Sequence, residues 1–209
     1  MKLLELFKGT GSVGKVARKL GINVISLDNE EKYNPDILTD ILKWDYKKYS
    51  SDNKYVPNLI WASVPCQTFS ILGNTKGGHR EKGTGRALSD DAKIGDKILK
   101  KTMEIINYFK SKNKDLNFVI ENPRGFMRVQ PILKNLHRET TIYVLYGDKR
   151  YKPTDFFSNI DLKLKDVISA NKIREKYKVK LDDVRSINCI EKKYKVPSLL
   201  VKTILTQLK

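Results

Sequence analysis

The chain has 209 residues, 40% of them hydrophobic, enough for one well-buried core or a core with a small appendage. Its 41 Lys and Arg against 24 Asp and Glu leave a net charge of +17, which favours a polyanionic partner, nucleic acid most simply, over a merely lysine-rich solvated surface. No apolar run approaches the ~18 residues of a membrane helix, and two cysteines 123 positions apart form neither a disulfide framework nor a zinc spacing.

In chain order, "KLLELF" (2–7) reads as a short apolar strand running into the glycine-rich "KGTGSVG". Residues 12–20 follow at helical spacing, with Val13, Val16, Ala17 and Leu20 on one stripe. "NVISLD" (23–28) is a second buried strand and "DILTDI" (36–41) a weaker third. "NLIWASV" (58–64) is the fourth and "NFVIEN" (117–122) the fifth. Between those two, residues 89–111 form the clearest helix, with Ser89 as its N-cap. "TTIYVLYG" (140–147) and "TDFFSNI" (154–160) read as a late strand pair. A C-terminal helix opens with Pro197 in its first turn. Residues 161–195 are Lys-rich and weakly patterned; the segment 150–209 holds 15 basic and 7 acidic residues. Alternating strands and helices predict an α/β fold, a doubly wound, mostly parallel sheet covered on both faces, in a single domain over 1–209.

Such a sheet gathers its ligands at the carboxyl ends of the central strands. Gly9, Gly11 and Gly14 in the first loop permit a tight turn and close approach of a ligand. Asp28 ends the second strand, where a carboxylate can take ribose hydroxyls, and Asp40 ends the third, where it can take an adenine amine. Each alone is equally a turn residue or a cap. Cys66 follows the fourth strand and Glu121 ends the fifth. A lone cysteine is commonly inert core, but one beside a carboxylate and a cofactor loop reads as a nucleophile. Residues 72–88 hold five of the 12 glycines and several cations. They read as a disordered surface loop or as a lid that grips phosphates. His79 and His137 have no ligand-like neighbours, so no metal is expected.

These motifs, in this order, resemble those of the DNA cytosine-5 methyltransferases over nearly the whole chain. "LFKGTGSVGKVARKLG" is similar to the family's S-adenosylmethionine loop, "SLDNE" and "TDI" to its next two cofactor motifs, "PCQTFS" to its nucleophile motif and "ENPRG" to its Glu-Asn motif. "GDKRYKPTDFFSN" resembles a divergent basic motif, as in short viral or phage-type members, and "YKVPSLLVKTIL" the C-terminal motif. Val64 and Pro123 depart from the common residues. The resemblance implies S-adenosyl-L-methionine held by Phe7, Gly9, Thr10, Gly11, Ser12, Val13, Asp28, Asn29, Asp40, Ile41, Pro65, Val196 and Ser198. It implies catalysis by Cys66, Glu121, Asn122, Arg150 and Lys152, and nucleic-acid contacts from Gln67, Ser70, Lys76, Arg80 and Arg86. Cys189 has no such context and reads as structural. The expected reaction is methyl transfer to C5 of cytosine in DNA through a covalent cysteine adduct. The same chemistry on RNA, a silent binding module and a nicotinamide-dependent oxidoreductase are the alternatives. The family places a target-recognition domain where this chain has a short basic segment, 160–190, so weak sequence preference or a specificity-providing protein partner is expected. With neither membrane segment nor signal peptide apparent, a cytoplasmic or nuclear protein is the expectation.

Overall fold

A computed structural model describes residues 1–75, 78–178, 180–182 and 193–208. Seven strands form one sheet: β1 (Lys2–Leu6), β2 (Asn23–Asp28), β3 (Ile37–Leu38), β4 (Leu59–Ser63), β5 (Asn117–Pro123), β6 (His137–Ile142) and β7 (Pro153–Ser158). Their order across the sheet is β3-β2-β1-β4-β5-β7-β6. The first five run parallel to one another, whereas β7 is antiparallel to both neighbours. Among the described residues these helices flank it: α1 (Ser12–Lys19), α2 (Tyr46–Asp52), α3 (Asp90–Lys112), α4 (Ala170–Tyr177) and α5 (Ser198–Gln207).

Alternation along the strands sorts the core into two layers. Leu4, Leu6, Ile60, Ala62 and Ile120 face α3 and the aromatic cluster of α2. Leu3, Leu59, Trp61 and Val119 face the other way, with residues of α1 and α5. Both faces are covered, and the parallel strands therefore read as nearly continuous apolar runs. On the α1–α5 side the alternation reaches three polar residues, Glu5, Ser63 and Glu121. Ser63 stands opposite Glu121 in the β4–β5 ladder. The chain winds outward in opposite directions from β1 and β4, so a crevice opens at their carboxyl ends.

Several local readings hold and several shift. Ser89 does cap α3, its Oγ accepting from the Ala92 amide at 3.2 Å. Only Ile37 and Leu38 of the expected third strand pair with β2. The sixth strand lies earlier than expected, and Tyr143–Tyr146 form a single 3-10 turn instead. Tyr143 and Tyr146 are buried beneath the sheet, so the apolar run is helical-turn packing rather than strand pairing. Pro197 sits one residue before α5, as its N-cap. Two helices, α2 and α4, have too few apolar residues for a helical stripe to stand out. Asp45 caps α2 through the Lys48 amide, and Ser169 caps α4 through the Lys172 amide.

Candidate active site

The glycine loop after β1 turns sharply. Gly9 and Gly11 have φ of 47° and 66°, and Phe7 adopts φ 61°, a strained value for a side-chain-bearing residue. Asp28 at the end of β2 holds this turn. One carboxylate oxygen accepts from the Gly9 amide at 2.8 Å, the other from the Glu30 amide at 3.0 Å. Below the loop lies Glu5. Its Oε1 accepts from the Gly14 amide at 3.1 Å, and its Oε2 is buried without a partner. A Cβ at 14 would meet Glu5 Oε2 at 2.4 Å, so a side chain there would displace the carboxyl group. Burial pushes the Glu5 carboxyl up to about 7.

A cavity of about 350 Å³ lies at the carboxyl edge, lined by this loop and by the ends of β4 and β5. Phe7, Gly9, Thr10, Ser12, Val13, Asp28, Asn29, Pro65, Cys66, Gln67, Glu121, Lys152 and Val196 all border it. Gly11 is the N-cap of α1 at its edge. Ser12 ties the C-terminal segment to the loop by accepting from the Val196 amide at 3.2 Å. Ser198 lies in the adjoining cleft with Gly9, Thr10 and Ser12. Asp40 and Ile41 are not brought to this cavity. Ile41 is in the core, and Asp40 accepts from the Leu42 amide at 2.9 Å, the turn role an aspartate takes readily.

Cys66 is half-buried, at the junction of this cavity with a second crevice of about 720 Å³. Asn122 holds the strand end before it, donating from Nδ2 to the Val64 carbonyl at 2.8 Å. Beside Cys66, Glu121 is 6% exposed and accepts from the Tyr143 hydroxyl at 3.2 Å and from Ser63. Lys152 is buried against the same groups, its Nζ 5.0 Å from the Tyr143 ring centre. Burial pushes both the Cys66 thiol and the Glu121 carboxyl up, and Lys152 pulls both back. Burial pushes the Lys152 ammonium down, while Glu121 and Cys66 oppose that fall. The three groups thus set one another's charge in a water-poor corner. Tyr143, Ser63, Glu30 and Tyr194 were missed in the sequence. The apolar strand-like pattern concealed Tyr143, but the second acidic residue of "SLDNE" was a usable signal for Glu30.

Three of the expected contacts are not brought to these cavities. Arg150 is 4% exposed and absent from the lining of either cavity. Its guanidinium pairs with Asp148 and donates to the carbonyls of Lys193 and Lys195 at 3.0 and 2.8 Å, which brackets the C-terminal segment. Arg80 is 3% exposed, too deep to meet a phosphate. It donates to the carbonyls of Thr68, Gly85 and Ala92, pairs with Asp96 at 2.7 Å and stacks 3.9 Å over Phe69. Arg86 is exposed but pairs with Glu81 and borders neither cavity. Gln67 and Ser70 do line the crevice, and Lys76 and Cys189 lie outside the described residues.

Arg80 clamps the loop of Cys66. It joins Thr68 and Phe69 to the 81–88 turn and to α3, and Gly95 of α3 is required there, since a Cβ would meet Thr68 Oγ1 at 2.8 Å. Gly125 is needed likewise, its Cβ position lying 2.2 Å from the Phe69 carbonyl. The cysteine therefore rides on a segment fixed from three sides.

A sheet of this order with a glycine loop, a carboxylate-held turn and a cysteine at the switch point is that of the S-adenosylmethionine-dependent methyltransferases. Over 80% of the chain it superposes on the Entamoeba histolytica methyltransferase EhMeth (TM-score 0.53, 15% identity, 56% of that protein). Over 91% it superposes on the S. pombe Dnmt2 methyltransferase (TM-score 0.52, 16% identity, 61% of that protein). No family model matches the sequence. Among curated proteins it is 31% identical over 164 residues to a DNA (cytosine-5)-methyltransferase of Frog virus 3 (isolate Goorha), covering 77% of this chain and 72% of the viral one. It is 26% identical over 199 residues to a type II methyltransferase of Methanocaldococcus jannaschii, covering 85% of this chain and 62% of the archaeal one. The chain belongs to the DNA (cytosine-5)-methyltransferase family.

Two predictions follow from the site's wiring. Glu5 titrates at about 7 in the folded protein against about 4.3 unfolded, so its burial is least costly when protonated. The contribution of Glu5 to stability is full below pH ~4.3 and is lost as pH rises towards about 7, by on the order of 3 kcal/mol. Glu5→Gln should flatten that fall, gaining on the wild type in urea midpoint at pH 8 and little at pH 4.5. For Arg80→Ala, three buried carbonyls and Asp96 lose their partner, so a loss of about 3 kcal/mol or more in urea unfolding is expected. Arg80→Lys should recover little of it, because an ammonium cannot span carbonyls on three segments. Equal stability of both variants and wild type would contradict the clamp.

Proposed function

We propose that the chain methylates C5 of cytosine in DNA, using S-adenosylmethionine and a covalent adduct at Cys66. What carries the reading is the meeting of Cys66, Glu121 and Lys152 where the glycine-loop cavity opens into the larger crevice. The cavity fits the cofactor. Glu5 Oε2 is an unpartnered buried acceptor at its wall, and Gly9 presents open space where a side chain would intrude. When bound, the cofactor supplies an electrophilic methyl group. Phe7 and Val13 would hold its apolar parts, and the loop amides and Ser12 its polar ones. Each oxygen of Asp28 accepts one loop amide and keeps a further lone pair, so Asp28 and Glu30, both at the cavity, are the acceptors for ribose hydroxyls.

The chain's own residues would then work on the base. Cys66 Sγ, as thiolate, adds to C6 of cytosine. The C5–C6 π electrons shift towards C5 and the ring, and Glu121 in its acid form gives its proton to N3. A raised Glu121 is suited to this, because a neutral carboxyl can donate. Lys152 supports the thiolate by its charge. After methylation a base removes the C5 proton, the C5–C6 double bond re-forms, the C6–S bond breaks to release the thiolate, and N3 returns its proton to Glu121. Asn122 would keep Cys66 in line by its hold on Val64. A base inside a duplex must leave the stack to reach Cys66, at a few kcal/mol, and the crevice flanked by Tyr151, Arg174 and Tyr194 would receive it. We place the whole reaction in one domain, with the basic segment 160–190, including α4, in place of a recognition domain. Specificity then rests on a very short context or on a protein partner.

Labelled S-adenosylmethionine with separate DNA and RNA pools, followed by nucleoside analysis, should place label in 5-methylcytosine of DNA, in many sequence contexts. Cys66→Ala should lose the activity, and DNA carrying 5-fluorocytosine should trap the wild type covalently. Label in RNA alone would move the substrate, and full activity of Cys66→Ala would remove the covalent mechanism. Asp28→Ala should weaken cofactor affinity by loosening the loop, and Glu30→Gln by losing ribose bonds, each by roughly 5- to 100-fold. Calorimetry with unchanged affinity for either variant would sink that assignment.

A further inference from the structure

Away from Cys66, the cofactor cavity runs into a cleft of about 1020 Å³ along α1 and the start of α5. The two share Gly9, Thr10, Ser12, Lys32 and Tyr33. On its other side the cofactor cavity shares Cys66, Gln67, Pro123, Lys152 and Tyr194 with the crevice beside α4. The three are therefore one continuous trench over the carboxyl edge of the sheet.

The far end of this trench is lined by Lys15, Lys19, Lys32, Lys195 and Lys202, and by no carboxylate among the described residues. All five lysines are exposed. They come from three separate stretches, so folding has gathered them. Lys32 has Glu30 at 2.6 Å, and Lys15 donates to the Thr10 carbonyl at 3.1 Å. Among the described residues, Lys19, Lys195 and Lys202 have no ion-pair partner. A merely lysine-rich surface would intersperse acids with them, as happens elsewhere on this chain at Lys93 and Lys163. Ser12 to Lys19 spans about 10 Å along α1, beyond the glycine loop that cradles the cofactor. Leu199, 51% exposed, lies between the lysines and offers no polar match for a small anion.

We propose that this cleft is a second phosphate-binding track, which holds the backbone of the nucleic acid beyond the segment engaged at Cys66. The identity of that strand as the substrate rests on the function proposed above. Lysine is a point charge that meets phosphates without reading bases, so the track adds affinity and salt dependence rather than sequence choice. It would compensate for the small surface that the short 160–190 segment contributes.

The test uses Lys19→Glu/Lys202→Glu, residues clear of the cofactor cavity, against a control of equal charge change on other helices, Lys48→Glu/Lys100→Glu. Anisotropy titrations across a salt series compare a 30-base-pair duplex with a hairpin whose stem is eight base pairs, about 27 Å. The wild type should show the steeper salt slope on the long duplex. The cleft variant should lower that slope by about 2 and weaken the long duplex at least tenfold at low salt, leaving the hairpin and the control variant near wild type. Equal behaviour of cleft and control variants, equal loss on both substrates, or a wild type that binds neither overturns the track. Methyl transfer to the hairpin is read in parallel. A wild type that binds with these slopes but transfers no methyl group overturns the proposed function and leaves the track standing.

Discussion

The parallel pairing of β4 with β5, which sets Ser63 opposite Glu121, is the constraint on which the site depends. β5 continues two residues past that pair, so the loop after β4 and the last residues of β5 face each other across about 5 Å. Asn122 can then reach the Val64 carbonyl, and Glu121 can stand beside Cys66. A slip of one residue would turn Glu121 into the α3 layer and bring Asn122 to the cysteine's side. The bonds of Glu121 to Tyr143 and Ser63, which that slip would break, resist it.

Burying a thiol, a carboxyl and an ammonium together is unfavourable unless each finds a partner, and the surrounding chain supplies them. Tyr143 and Ser63 donate to Glu121, the ring of Tyr143 lies under Lys152, and Arg150 lies 5.1 Å from the same ring. The loops around the corner are held with similar thoroughness. Arg128 forks onto Asp155 at 2.6 Å twice, fixing the turn after β5 to β7, while Arg80 fixes the turn after β4 to α3. Only glycine is accommodated where these turns press together. Rigid support on three sides suits the role proposed for Cys66, which would have to meet a single ring carbon.

Much of this was legible in the sequence, and the losses have physical causes. Strands β1, β2, β4 and β5 are apolar because both faces are covered, and they were read to within a residue or so. Their order across the sheet followed from the alternation with helices, which set the glycine loop, Cys66 and Glu121 side by side. Length and periodicity misled at Tyr143–Tyr146, where an apolar run packs as a turn. They were silent at α2 and α4, whose helicity depends on caps at Asp45 and Ser169 rather than on a stripe. Charge was the least legible property, since a positive residue near a catalytic loop can face the ligand or hold the loop. Arg80 holds the Cys66 loop and Arg150 the C-terminal segment; nothing in their local sequence distinguishes them from Arg86.

That division follows side-chain chemistry. A guanidinium carries five donors in a planar fork, enough to satisfy several carbonyls and a carboxylate at once, so it can be buried as a bracket. Arg80 does this with carbonyls on three segments, and Arg150 with the nearby Asp148 and two carbonyls of the C-terminal segment. An ammonium on a flexible stem is better left in water, and most lysines here are exposed, from the trench to the long helix. Lys152 breaks the pattern. Among the described residues it is the one buried lysine, and it makes no hydrogen bond to a backbone carbonyl. A bracket would have been made of arginine. A compact charge, desolvated between a thiol and a carboxyl, has its effect through the field it exerts on them, and on that ground the proposed chemistry includes Lys152, while Arg150, two residues earlier, braces the C-terminal segment.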